Sequence, residues 1–95
     1  MIDETEATNR AREYVAAMDE SFALIEEATQ EEPFGWVFFY NSAKYVETGD
    51  PLDGLGGNAP LVVFRDTGAI EVTGTAAPVE EYLAPIRAAS EHRQH

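Results

Sequence analysis

Carboxylates are the side chains of this sequence dense enough to suggest chemistry. Adjacent pairs stand at Glu26-Glu27 and Glu31-Glu32, and Glu47, Asp50 and Asp53 fall in and beside a glycine-rich stretch. A proton shared between two carboxyls requires both on one side of the chain. Neighbours along a strand point to opposite faces, so Glu26 and Glu27 cannot act as one acid–base dyad. Glu47, Asp50 and Asp53 could in principle hold calcium, but the alternating acids and closing glutamate of an EF-hand are missing, and turn and cap roles account for them more simply. Gly49 to Gly57 lacks the Gly-Lys-Ser/Thr that sets a lysine against phosphates and opens no helix. The two histidines, His92 and His95, lie at the C-terminal end without a nucleophile nearby in sequence, where fraying is expected. Cysteine is absent, which removes thiolate catalysis, thiolate metal sites and disulfides together. These residues imply no catalytic centre, no metal and no cofactor, and an enzyme is not expected.

Charge is the stronger signal. Eighteen Asp+Glu against six Lys+Arg give a net charge of −12 in 95 residues, which repels a phosphate backbone and argues against nucleic acid as a partner. The excess is uneven, with ten acids and two bases in residues 1–32. Such a run either forms a solvated face or steers a basic protein partner, raising its on-rate. The opening Met1-Ile-Asp-Glu-Thr-Glu is acidic where a signal peptide is basic and then apolar. No run reaches the roughly 18 apolar residues of a membrane span. A soluble, cytoplasmic protein with no membrane association is the expectation.

The elements that would position these acids follow from periodicity. Residues 1–95 read as a single domain. Asp3 and Glu6 resemble a capping box, and Ala7, Ala11, Tyr14, Val15 and Met18 recur at helical spacing over about 4–18. Phe22, Leu24 and Ile25 suggest a strand over about 21–29, followed by a charged loop from Gln30 to Pro33. From 35 to 46 the residues are largely aromatic or β-branched, with Trp36, Phe38 and Tyr40 on one face and Val37 and Phe39 on the other, as in a central strand. Aromatic rows of this kind belong to cores more often than to base-stacking platforms. Residues 47–60 are the longest loop, a natural place for contact. Strands at about 60–65 and 69–74 flank the Asp66-Thr67-Gly68 turn, in which Gly68 can take positive φ. A closing helix over about 78–91 carries Val79, Tyr82, Leu83 and Ile86 as its apolar stripe, with Pro85 expected to kink it. The order α-β-β-β-β-α predicts a two-layer α+β domain, a meander of about four antiparallel strands covered on one face by helices.

Several of these positions also carry a resemblance. Gly35-Trp36, Phe38, Tyr45 before Glu47-Thr48-Gly49-Asp50, Leu55, Gly57-Asn58-Ala59-Pro60, Gly68 with Ile70, Gly74-Thr75-Ala76 and Pro78-Val-Glu-Glu-Tyr82-Leu83 together resemble the immunity protein thirty-five or YrhB-like family of small bacterial proteins. Several members of that family sit beside polymorphic toxin genes. The likeness covers about residues 34–83. It implies a non-catalytic protein that binds and neutralises a cognate toxin, with a heat-stable, chaperone-like holdase as the alternative. The acidic balance is compatible with a basic toxin domain. For contact, Glu26, Glu27, Glu31, Glu32, Glu47, Asp50 and Asp53 are the candidates. Gly35, Trp36, Phe38, Gly57, Asn58, Pro60, Gly68, Gly74, Tyr82 and Leu83 are expected to serve core and turns.

Overall fold

Asp3 opens the first helix, α1 (Glu4–Met18), its carboxylate accepting the Glu6 backbone N–H at 2.8 Å. The computed structural model of the chain describes residues 1–50, 59–74 and 77–93, with side chains through Ala89. Among them follow β1 (Phe22–Leu24), a 3-10 turn (Glu26–Ala28), β2 (Gln30–Glu32), β3 (Gly35–Phe38), β4 (Tyr40–Ser42), α2 (Ala43–Thr48), β5 (Leu61–Phe64), β6 (Ile70–Val72) and α3 (Val79–Arg93). The fold is α+β. A four-stranded antiparallel sheet runs in the order β2-β3-β5-β6, and β1 and β4 form a separate antiparallel pair.

Two of the expected strands are divided. The strand expected over 21–29 ends at Leu24, because Glu26-Glu27-Ala28 offers neither alternation nor strand propensity and closes instead into a 3-10 turn. Gln30–Glu32, expected as loop, pairs with β3 across Pro33-Phe34, in the register Glu32↔Gly35. The long strand expected over 35–46 breaks at Phe39: β3 stays in the large sheet, whereas β4 pairs with β1. Residues 43–48 leave strand altogether. Ser42 caps α2 by accepting the Tyr45 N–H at 3.1 Å, and Gly49 closes it with φ 72. Glu47 and Thr48 therefore belong to a helix rather than to the loop.

Alternation along β3 and β5 builds two apolar clusters. Trp36, Phe38, Leu61 and Val63 face one way and are joined there by Leu24 and Tyr40. Ala7, Ala11 and Val15 of α1 meet them, and their small side chains at i, i+4 spacing let the helix approach the sheet closely. On this face α1 and the sheet form two layers. Tyr14 and Met18, expected in the same stripe, lie outside this contact at 37% and 42% exposure. Val37 and Val62 face the other way, where Phe34 and Leu83 are buried with them and Val79 and Ile86 pack alongside. The helices thus do not share one face, because the apolar stripe of α3 joins the cluster on the reverse of the sheet. That helix runs through Pro85 without ending there.

Gly35 is where the backbones come closest. It is buried with φ 152, and a Cβ there would run into the Val63 carbonyl oxygen. Gly68 turns the chain between β5 and β6 with φ 73, donates its N–H to the Phe64 carbonyl and accepts from Arg10 Nη1 at 3.2 Å.

Candidate partner-binding surface

Cations and anions are used differently in this fold. Arg87 meets Glu32 as a two-toothed fork, Nε to Oε1 and Nη2 to Oε2 both at 2.7 Å, and its Nη1 reaches Glu80 at 2.6 Å. Gln30 Nε2 donates to the same Glu32 carboxylate at 2.6 Å. Arg65 lies over the Trp36 ring at 4.4 Å and donates to the Glu32 carbonyl at 3.0 Å and the Glu31 carboxylate at 3.3 Å. Arg12 bonds Asn9 and Glu26, at 3.0 and 2.9 Å, and Arg10 bonds Glu6 and the Gly68 carbonyl. Each of these four arginines ties two parts of the chain together. The exposed remainder includes Glu4, Glu13, Glu20, Glu27, Glu47, Glu71 and Glu81.

The acids singled out by sequence are distributed accordingly. Glu31 and Glu32 sit on opposite faces of β2, as strand alternation requires, so Glu31 joins Arg65 beside Trp36 and Glu32 turns to α3. Glu32 is buried, 8% exposed, and belongs to the interior. Glu26 is tied to Arg12, while Glu27 is exposed on the 3-10 turn and Glu47 on α2. Asp50 is exposed just beyond α2, its N–H held by Thr48 Oγ1 at 3.2 Å. Asp53, Gly57 and Asn58 lie outside the described residues. Among the turn and core positions, the Pro60 carbonyl accepts both the N–H and the hydroxyl of Thr73, and a Cβ on Gly74 would meet the Tyr82 ring. Among the described residues no three His, Asp or Glu groups gather as a metal site. No helix there is long and apolar enough to cross a membrane.

The Glu32–Arg87 fork gives a pH signature. Hydrogen bonds from Arg87 hold the Glu32 carboxyl below the usual carboxylate range, against the opposing pull of burial. A depressed folded-state value stabilises the protein above the unfolded value and loses that stabilisation as pH falls through the folded one. Arg87→Met, which leaves Glu32 buried without its cation, is expected to lower Tm at pH 7. The deficit should shrink below about pH 4, where carboxylates protonate. Thermal melts of both proteins at pH 7 and pH 3 check this, and an equal deficit at both values would show that the pair contributes nothing through charge.

A shallow groove of about 580 Å³ runs between α1 and the turn into β6, lined by Glu6, Arg10, Glu13, Tyr14, Gly68 and Ile70. Sequence reasoning assigned Tyr14 to the core stripe and so missed the groove. The signal was there in the size of the stripe residues: Ala7, Ala11 and Val15 form a complete i, i+4 line without it.

The chain is thus a small acidic α+β protein in which Arg10, Arg12, Arg65 and Arg87 are tied to its own scaffold and many of its carboxylates are exposed. The model of the Immunity protein 35 family matches residues 5–85, and the chain belongs to that family. It is also similar to the uncharacterized protein YrhB of Escherichia coli strain K12, with 47% identity over 49 residues, or 52% of each chain. The chain thus spans about half the length of this curated relative. No solved structure matches it.

Proposed function

We propose that this chain is a non-catalytic immunity protein that binds and neutralises a cognate bacterial toxin in the cytoplasm of its producer. Family membership supports the immunity reading. The single structural observation that carries the choice of partner is the one-sided use of charge. Arg10, Arg12, Arg65 and Arg87 are engaged within the fold while a net charge of −12 remains, so the field outside is negative and draws a basic toxin domain. Glu27, Glu47 and Asp50 are the proposed first contacts, and Glu26 and Glu31, exposed though tied to Arg12 and Arg65, join them. Glu32 is committed to Arg87 and acts through the fold.

The test is binding to a cognate toxin domain, sought among the products of neighbouring genes. Charge reversal at Glu27 and Glu47 together is expected to slow association about tenfold at low salt and to have little effect at ~0.5 M salt, where exposed charges are screened. Stopped-flow association rates decide it. Rates unchanged at low salt would remove these acids from the encounter surface, and absence of any wild-type binding would overturn the immunity reading. Weak binding to many unfolded chains, with none to the toxin, would support the holdase reading instead.

A further inference from the structure

We infer that the outer edge of β6, with the groove between it and α1, receives an extended basic segment of the toxin as an added strand. This rests on the toxin-binding reading and names the surface. β6 is the last strand of its sheet, and among the described residues no strand lies beyond it. Its ladder phase is set by the Phe64 N–H to Ala69 carbonyl bond and the Thr73 N–H to Pro60 carbonyl bond, at 2.9 and 3.0 Å. Bonded positions alternate along an antiparallel pair, so Glu71, opposite Val62, points its backbone groups inward. Ile70 and Val72 consequently present their N–H and C=O groups outward, a template for a further strand.

Side chains at the same edge define what that strand carries. Ile70 and Val72 share the face of Leu61 and Val63 that α1 covers, yet Val72 is 45% exposed, and Tyr14 across the groove is 37% exposed. An incoming strand would lay apolar side chains on this face, over Val72, Ile70 and Tyr14. Its alternate side chains would fall beside Glu71 on the other face, where Lys or Arg would meet that carboxylate. A second copy of the chain is a poor occupant, because two bodies of net charge −12 repel. The pattern fits an extended segment alternating apolar with Lys or Arg.

Two probes test the inference. Titrating an acetylated ten-residue peptide of alternating Val and Lys into ¹⁵N-labelled protein should shift the amide resonances of residues 70–73 and of Glu13 and Tyr14 before those of α2. Its Val/Glu counterpart should shift neither. With a toxin domain that the wild type binds as ligand, Val72→Pro removes an outward N–H that β5 does not use, and Val72→Lys sets a cation where a basic strand must lie. Each is expected to weaken binding by at least about tenfold, which is about 1.4 kcal/mol, with wild-type Tm. Should Val72→Pro fail to fold, Val72→Lys alone carries the test, since it changes only an exposed side chain. Toxin binding unaltered by the folded Val72 variants would overturn the edge site while leaving the immunity reading intact. No binding by the wild type would overturn both. Peptide shifts spread equally over the whole acidic surface would also overturn the edge site.

Discussion

Gly35→Ala is expected to destabilise the fold by roughly 3 kcal/mol, combining about 1–3 kcal/mol of backbone strain with about 1–3 kcal/mol of overpacking. The residue is buried in β3 with φ 152, and its neighbour across the sheet offers no room, because the obstructing atom is the Val63 backbone oxygen. A flexible side chain could swing aside. A carbonyl in the middle of a ladder cannot, so β3 and β5 would have to separate. Gly49→Ala is the matched control: φ is 72, but nothing lies within 4 Å of its Cβ position, so only the left-handed strain of about 1–2 kcal/mol is at stake. Urea midpoints of the two variants separate clash from strain. Equal losses would mean that β3 and β5 can part at little cost.

Trp36→Ala is expected to cost about 3–5 kcal/mol, a large part of the ~5–15 kcal/mol that holds a domain of this size together. The ring is 1% exposed and is enclosed by α1, β5 and the guanidinium of Arg65. Its loss would leave a void beneath that cation and loosen the link from Arg65 to β2. Trp36→Phe should cost less than half as much. It keeps a ring under Arg65 and removes the indole Nε1–H, which finds no acceptor among the described residues and so contributes a desolvation penalty to the wild type. Chemical denaturation of both variants gives the ordering. A near-silent Trp36→Ala would show that this ring is not a core residue.

What the sequence could and could not reveal has a common cause. The spacing of Trp36, Phe38 and Tyr40 against Val37 is a period-two signal, and it marks the two faces of β3 directly because each face is apolar. The helical i, i+4 line through Ala7, Ala11 and Val15 is equally local. The break at Phe39 is not local: whether β4 continues beside β5 or joins β1 depends on a partner distant in sequence. β2 escaped notice for the same reason. Three polar residues form a strand because Gly35 to Val37 lie opposite and because Arg87, from the far end of the chain, takes up the Glu32 carboxylate. The short α2 was hidden by Tyr45 and Val46, which read as strand, although Ser42 with the N–H three residues on was a usable cap signal. The acidic candidates were visible as charges, but which of them face outward was decided by arginines elsewhere in the chain. The α1–β6 groove depended on where α1 settles across the sheet.

The break at Phe39 also limits how this sequence can change over time. Trp36, Phe38 and Tyr40 stay on the α1 side of the molecule across the break, so the chain changes its neighbour without changing its side. Meanwhile the Phe39 carbonyl accepts the Ile25 N–H at 2.8 Å, tying the crossing point to the end of β1. One residue inserted or deleted here would reverse the parity and turn either the β3 or the β4 aromatics outward. Substitutions that preserve bulk can accumulate in this stretch, but its length cannot vary.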